Sequence, residues 1–200
     1  MNDQRPYFES LYAASEDPYA LRHRWYEARK RALLLAALPR ERFRSAYEPG
    51  CGAGELTLAL SQRCDHLLAS DFSAHAVDIA RKRTGELANA HVAHHVLPAD
   101  WPREAGQFDL IVLSELGYFL DRNDMHLLAA CCQDTLAADG TLVACDWRPD
   151  FAQRRLPTQE VHDALASLGL ARLAFHEEAD FVLQVWTRDG RSVAEREGIR

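Results

Sequence analysis

Residues 45–54 read Ser-Ala-Tyr-Glu-Pro-Gly-Cys-Gly-Ala-Gly, with glycines at the alternate positions 50, 52 and 54. A short apolar strand is predicted to end at Glu48, and a helix-forming run follows over residues 55–63. Glycine tolerates positive φ and leaves room beside the backbone, so this stretch predicts a tight turn from strand to helix that a ligand can touch.

The spacing of the glycines and the carboxylate of Glu48 distinguish between the two classes of ligand that such a turn can bind. A dinucleotide-binding turn requires Gly-x-Gly-x-x-Gly and places a pyrophosphate on the helix N-terminus. Here the spacing is Gly50-x-Gly52-x-Gly54, and the Glu48 carboxylate is a poor neighbour for phosphate and a good one for a cation. The turn resembles motif I of class I S-adenosylmethionine-dependent methyltransferases, whose donor carries an ammonium and a sulfonium. A nucleotide-dependent reductase and a purely structural turn are the alternatives.

A second acid supports a nucleoside site. Asp71 ends the predicted second strand and follows Gly52 by 19 residues. A carboxylate at this spacing can accept hydrogen bonds from both ribose hydroxyls. The alternative is that Asp71 caps a helix, although Ser73 is the better cap for the helix predicted over residues 74–84.

Composition restricts the class of protein. The chain has 200 residues, of which 48% are hydrophobic and 26% charged, as expected for one globular domain. The net charge of −7 argues against a protein that follows a nucleic-acid backbone. No apolar run approaches the ~20 residues of a membrane span, and no leader is evident, so we expect a cytoplasmic protein. Five cysteines without a Cys-x-x-Cys pair predict reduced thiols, and no metal site is predicted.

The order of the later elements favours a methyltransferase sheet. Apolar runs predict strands over 91–97, 107–113 and 141–146, followed by a hairpin of 171–176 and 181–187. Dinucleotide dehydrogenases usually continue as parallel units, whereas a parallel sheet that closes with a terminal hairpin is the methyltransferase arrangement. The predicted fold is therefore α/β and Rossmann-like, of the class I methyltransferase type.

The domain organisation is predicted to be simple. Residues 1–200 form a single domain, with an N-terminal helical lid over 1–40, a Rossmann-like core over 44–188 and a frayed polar tail over 189–200. The helix predicted over 21–38 has a basic first half. It is either a packing helix with a solvated basic face or a lid that closes over the cofactor.

Several motifs together resemble one family, the nodulation protein S-like S-adenosylmethionine-dependent methyltransferases. They are Trp25-Tyr-Glu27 with Lys30, Glu48-Pro-Gly-Cys-Gly52, Pro98-Ala-Asp-Trp-Pro102, and Phe108-Asp-Leu-Ile-Val-Leu-Ser-Glu115 with Gly117-Tyr118. The resemblance implies a mostly parallel seven-stranded sheet and methyl transfer. In the nodulation enzyme the acceptor is the free amine of a deacetylated sugar at the end of a chito-oligosaccharide.

The expected cofactor is S-adenosylmethionine, which leaves as S-adenosylhomocysteine. The usual acid at the end of the third strand is replaced by Val96, so adenine contacts fall to the backbone of Val96 and Leu97, or to Asp100. The predicted cofactor-binding residues are Glu48, Gly50, Gly52, Gly54, Asp71, Phe72, Val96, Leu97 and Ser114.

Methylation of an amine requires loss of a proton, so a base is useful. Glu115 is the first candidate because it follows the fourth strand, at the sheet edge where ligands bind. His162 is the second, with a packing histidine as the alternative. The predicted substrate-binding residues are Trp25, Tyr26, Lys30, Tyr118 and Trp147.

The expected acceptor is a small molecule or saccharide, most simply an amino-sugar-like amine. The alternatives are an O-methyltransferase of a small metabolite, a Rossmann-type oxidoreductase and a binding module without turnover. We expect a monomer or homodimer that contacts neither nucleic acid nor membrane.

Overall fold

A computed structural model describes residues 4–200, which form one seven-stranded sheet in the order β3-β2-β1-β4-β5-β7-β6. The first five strands run parallel, and β7 lies antiparallel to both β5 and β6. This arrangement confirms the predicted class I methyltransferase fold with its terminal hairpin.

Helices connect the parallel strands, and a helical segment precedes the sheet. The strands are β1 Phe43–Pro49, β2 Cys64–Asp71, β3 Ala90–His94, β4 Phe108–Ser114, β5 Leu136–Trp147, β6 Ala171–Glu177 and β7 Phe181–Thr187. The helices are α1 Arg5–Ala14, α2 Trp25–Ala37, α3 Glu55–Ser61, α4 Ala74–Thr84, α5 Arg122–Thr135, α6 Thr158–Ala166 and α7 Val193–Arg196. Within residues 4–200, none of the helices has the length and apolar character that a membrane crossing requires.

The central strands are buried on both faces. Leu110 and Val112 of β4 belong to an apolar cluster with Leu34 of α2, whereas Ile111 and Leu113 belong to the cluster that includes Val161 of α6. Successive side chains of a strand point to opposite faces, so α2 and α6 lie on opposite sides of the sheet.

The N-terminal segment is packed against the core. Phe8 and Tyr12 of α1 are buried in the main apolar cluster. The Glu9 carboxylate accepts hydrogen bonds from the Ser73 hydroxyl and the Ala74 N–H, both at 2.9 Å, at the start of α4. A carboxylate at a helix N-terminus is favourable because it satisfies free N–H groups and complements the helix dipole. Thus α1 is fastened to the core by both apolar and polar contacts.

Several element boundaries differ from the predictions, including the start of α2 at Trp25 rather than residue 21. Strand β3 ends at His94 rather than residue 97, and β5 begins at Leu136 rather than residue 141. The longer β5 arises from an irregularity in its pairing with β4, where the register shifts between Phe108 and Leu110. The prediction of a frayed tail is wrong for α7, because Ser192 and Glu195 form a capping box at its start.

Candidate active site

The glycine turn joins β1 to α3 with unusual backbone angles. Gly50, Gly52 and Gly54 have φ values of +76°, +53° and +83°. A Cβ atom on Gly52 would lie 2.6 Å from the hydroxyl oxygen of Tyr12. Both the backbone conformation and the packing of α1 over the turn therefore require glycine at position 52.

Glu48 is a buried carboxylate beside the turn. Its side chain accepts a hydrogen bond from the Thr57 hydroxyl at 2.7 Å, and burial raises its pKa to about 8. We find no basic side chain of residues 4–200 paired with Glu48. A cationic group of a ligand would restore the ionised form, since an opposite charge nearby favours a carboxylate.

Asp71 connects the end of β2 to the glycine turn. Its carboxylate accepts the N–H groups of Gly52 and Ser73, each at 2.9 Å. Burial nevertheless raises its pKa. Two buried carboxylates beside a glycine turn suit a cationic nucleoside better than a pyrophosphate, so these residues fit S-adenosylmethionine. Glu48, Gly50 and Gly52 would hold its amino-acid end and Asp71 its ribose.

A small cavity of about 100 Å³, the donor cavity, lies against this turn. It is lined at one side by Glu48 and Gly50, and at the other by Ser114 at the end of β4. Arg31 of α2 also lines it. The cavity thus places a guanidinium and a buried carboxylate where an amino-acid end group, with its two opposite charges, could bind.

A larger cavity of about 400 Å³, the acceptor cavity, lies beside the first. Aromatic rings from the N-terminal segment and from the loops after β4 and β5 form most of its wall, including those of Tyr7, Tyr19, Tyr118, Trp147 and Phe151. Such a wall suits a compact ligand with apolar faces. Three residues line both cavities: Leu21, Lys30 and Glu115.

Glu115 is fixed at the junction of the two cavities. One carboxylate oxygen, Oε1, lies 2.6 Å from Lys30 Nζ. The other, Oε2, accepts the Trp147 N–H at 3.0 Å and the Tyr118 hydroxyl. The backbone of Glu115 has φ +56°, a left-handed conformation that is uncommon for a residue other than glycine. Strain of this kind persists only where the surrounding structure enforces it, as it does here.

Lys30 is a buried cation rather than part of a solvated basic face. Its side chain is 9% exposed and also pairs with Glu27 Oε2 at 3.0 Å. Burial alone would lower the pKa of Lys30, but Glu115 and Glu27 hold it above its usual value. Neither interpretation of the helix over 21–38 anticipated this buried pairing between α2 and the end of β4.

Phe72 and the residues predicted to contact adenine follow strands β2 and β3. Phe72 and Leu97 are buried, and the Phe72 ring lies 5.3 Å from that of Phe8. The Val96 N–H donates to Asp100 Oδ2 at 2.8 Å, and the Val96 carbonyl accepts the Asp100 N–H at 3.0 Å. Because both backbone groups of Val96 are already paired, the structure does not favour Val96 as an adenine contact. Asp100 supplies the acid near this strand end.

The structure does not bring His162 together with Glu115 or with either cavity. His162 is buried, with Nε2 3.1 Å from Asp146 Oδ2 and its ring near Trp186. It lines a separate cavity with Gln184 that shares no residue with the donor or acceptor cavity. The reason is local, because the His162 side chain is turned into the core toward Asp146 on β5.

Two predicted substrate-binding residues also lie outside the cavities. Trp25 is 78% exposed at the first turn of α2 and lines neither cavity, so its role in substrate binding stays a prediction. Tyr26 packs edge-on against Trp147, with ring centroids 5.8 Å apart, and its ring centroid lies 5.2 Å from Lys30 Nζ. Tyr26 therefore supports Lys30 instead of contacting a ligand directly.

Sequence reasoning missed several residues that line the cavities or cover the glycine turn. Tyr12 covers the glycine turn, Arg31 lines the donor cavity, and Phe151 lines the acceptor cavity. The aromatic residues of the N-terminal segment and the irregular loop after β5 were the available signals for Tyr12 and Phe151. Nothing in the sequence distinguishes Arg31 from the other basic residues of α2.

The five cysteines are buried and unpaired: Cys51, Cys64, Cys131, Cys132 and Cys145. Burial raises the pKa of each thiol. Cys51 and Cys145 line the donor cavity. No group of three or more His, Cys, Asp or Glu side chains suited to a metal ion occurs in the described part of the chain.

Comparison with known proteins identifies the family. The model of the Nodulation protein S family matches residues 9–172. Nodulation protein S of Bradyrhizobium diazoefficiens is 32% identical over 143 residues, which cover 70% of this chain and 68% of that protein. The chain belongs to the nodulation protein S family. Membership confirms the predicted S-adenosylmethionine-dependent methyltransferase and disfavours the reductase alternative.

Other relatives agree with this assignment. Nodulation protein S of Rhizobium tropici is also 32% identical over 143 residues, but the match covers only 59% of its length. A crystal structure of a Pseudomonas syringae protein assigned as a methyltransferase is 51% identical, with a TM-score of 0.74 over 82% of this chain and all of that one. The N-methyltransferase NodS from Bradyrhizobium japonicum WM9, in complex with S-adenosylhomocysteine, shares the fold at 23% identity, with a TM-score of 0.82 over 92% of this chain and 97% of that one.

Proposed function

We propose that this protein transfers a methyl group from S-adenosylmethionine to the nitrogen of a small amine, with an amino-sugar-like molecule as the acceptor. The observation that carries the proposal is the position of Glu115, whose carboxylate lines both the donor and the acceptor cavity. The relative from Bradyrhizobium japonicum is an N-methyltransferase, which supports nitrogen as the acceptor atom here.

The acceptor cavity supports a ring-shaped amine. Aromatic side chains stack well on the apolar faces of a sugar ring, and Tyr118, Trp147 and Phe151 provide such surfaces. Gln153 and Arg24 add polar groups at the wall that could bind ring hydroxyls. Glu115 would then bind the amine, since a carboxylate attracts an ammonium and orients it by charge-assisted hydrogen bonds.

S-adenosylmethionine supplies a methyl group that is already activated by its sulfonium. The ammonium bound at Glu115 would first give a proton to that carboxylate, which frees the lone pair on the nitrogen. The neutral amine would then attack the methyl carbon, with the N–C bond forming as the S–C bond breaks and S-adenosylhomocysteine leaving. The main contribution of the protein is to align the two reactants where little water is present. Tyr118 and the Trp147 N–H fix the carboxylate direction and so position the base.

The test compares two sugars that differ at one group. Purified protein with S-adenosylmethionine is given glucosamine or N-acetylglucosamine, and formation of S-adenosylhomocysteine is measured. We expect turnover with the free amine and none with the amide. Equal turnover with both would assign a hydroxyl oxygen as the acceptor and refute the proposal.

The Glu115→Gln variant tests the role of the carboxylate. We expect turnover to fall by about 10²–10⁴-fold, the range for loss of a general base, with S-adenosylhomocysteine affinity preserved. Glu178→Gln is the matched control, because Glu178 also pairs with α2, through Arg29 at 2.5 Å, but lines neither cavity. Unchanged turnover in Glu115→Gln would exclude Glu115 as the base.

A further inference from the structure

The ion pair of Lys30 and Glu115 stands at the passage that a methyl group must cross. Lys30 Nζ is 2.6 Å from Glu115 Oε1, and both residues line the donor and the acceptor cavity. The distance is that of a short charge-assisted hydrogen bond. In this arrangement the lysine ammonium lies on the carboxylate that faces the acceptor.

Lys30 has the same chemistry as the expected acceptor. The ammonium of lysine and a protonated primary amine each carry one positive charge and three N–H donors. The Tyr26 ring, 5.2 Å from Nζ, adds a cation–π contact on one side. The other oxygen, Oε2, already accepts two hydrogen bonds, from the Tyr118 hydroxyl and the Trp147 N–H. A second ammonium is therefore left with Oε1, where the like charge of Lys30 opposes its binding.

Lys30 also has an alternative partner. Glu27 Oε2 lies 3.0 Å from Nζ, one turn away on α2, and Glu27 lines the donor cavity but not the acceptor cavity. The flexible four-carbon stem of lysine allows the ammonium to keep one carboxylate while it leaves the other. Displacement from Glu115 would therefore not leave a buried charge without a counter-ion.

We propose that Lys30 is a gate that occupies the position of the acceptor nitrogen on Glu115, separates the two cavities, and withdraws to Glu27 when a cationic amine binds. This inference rests on the proposed function and adds to it how the acceptor gains access. Before the acceptor binds, the gate keeps the donor cavity closed toward the acceptor side, where water would otherwise reach the activated methyl group.

Because Lys30 occupies Glu115, the apparent affinity of the protein for the acceptor is lowered by an amount that can be measured. An amine binds only the fraction of molecules whose Glu115 is free, and the apparent affinity falls by that fraction. If Glu115 is free in about a tenth of the molecules, removal of Lys30 strengthens amine binding about tenfold. If Lys30 only positioned Glu115, its removal would misplace the carboxylate, and the amine would bind more weakly.

The experiment measures ligand binding to the Lys30→Met variant by calorimetry, with S-adenosylhomocysteine present. The probe is benzylammonium, which suits an aromatic cavity, and benzyl alcohol is its uncharged counterpart. We expect benzylammonium to bind Lys30→Met at least about tenfold more tightly than it binds the unaltered protein, and benzyl alcohol to bind both equally. Arg29→Met is the matched control, since the neighbouring Arg29 pairs with Glu178 outside both cavities.

The outcomes separate the gate from the proposed function. Weaker or unchanged benzylammonium binding by Lys30→Met overturns the gate, as does an equal gain for benzyl alcohol. Lys30→Gln, with S-adenosylhomocysteine affinity as the check of folding, replaces Lys30→Met if that variant does not fold. If Lys30→Met binds benzylammonium more tightly but the protein methylates no amine, the gate is supported and the proposed amine methylation is refuted. If the protein methylates amines but Lys30→Met binds benzylammonium more weakly, amine methylation is supported and the gate is refuted.

Discussion

Binding of the donor should release a proton from Glu48. The pKa of Glu48 is raised to about 8 by burial, so at pH 7 about nine-tenths of the free protein carries this side chain protonated. An ammonium at the donor cavity favours the carboxylate, because an opposite charge stabilises the ionised form. Binding of S-adenosylhomocysteine at pH 7 should therefore release about 0.9 proton per molecule.

Calorimetry in two buffers measures this number. The apparent binding enthalpy at pH 7 is compared in phosphate and in Tris, whose ionisation enthalpies differ, and the slope gives the protons exchanged. We expect Glu48→Gln to show no release and to bind S-adenosylhomocysteine about 10- to 100-fold more weakly, the effect of losing one charge-assisted hydrogen bond. At pH 9 the unaltered protein should also show little release from Glu48, because that group is already ionised.

The same shift predicts how the stability of the free protein depends on pH. A carboxyl group whose pKa is raised in the folded state stabilises the folded protein most at a pH below its ordinary pKa of 4.5. This stabilisation is lost as the pH rises to the folded-state pKa of about 8. The difference between the two pKa values corresponds to roughly 5 kcal/mol in the free energy of unfolding. The Glu48→Gln variant should lack this pH-dependent contribution. If the apparent enthalpy of S-adenosylhomocysteine binding at pH 7 is the same in phosphate and in Tris, the predicted release of a proton from Glu48 is refuted.

Three further variants test the geometry of the site. Gly52→Ala should lower Tm by about 2–8 °C, measured by calorimetry, since a left-handed alanine costs about 1–2 kcal/mol and its Cβ meets the Tyr12 hydroxyl. Asp71→Ala should weaken S-adenosylhomocysteine binding at least about tenfold by titration, because the charged hydrogen-bond acceptor for the nucleoside is lost; unchanged affinity would remove Asp71 from the site. His162→Phe should keep turnover within about twofold but lower Tm by about 2–12 °C, because Asp146 loses a buried hydrogen bond; loss of turnover in folded protein would return His162 to the mechanism.

Local sequence signals were sufficient for the sheet and for the position of the glycine turn. The glycine turn, Glu48 and Asp71 lie at the ends of adjacent parallel strands, and parallel strands bring their carboxyl ends to one edge. Ser73 caps α4 as predicted, by accepting the Ala76 N–H. These features depend on residues close in sequence or on the order of the strands, and the pattern of apolar runs and turns along the chain predicts both.

The contacts that set the acceptor side could not be predicted. Lys30 and Glu115 are 85 residues apart, and their pairing depends on how α2 crosses the end of β4. The position of His162 also depends on a tertiary contact, its buried hydrogen bond with Asp146, which the helical pattern of α6 does not encode. Trp25 and Tyr26 were predicted together, yet neighbouring residues on a helix point about 100° apart, and neither one lines a cavity.

The burial of the thiols has a practical consequence. The thiolate is the form that alkylating reagents attack, and a buried thiol with a raised pKa is rarely ionised. The folded protein should therefore resist alkylation, and its cysteines should be modified only when the surrounding structure opens. Cys51 lies within the glycine turn itself. Its rate of modification, followed by mass spectrometry, would thus report how often that turn opens and how strongly a bound nucleoside keeps it closed.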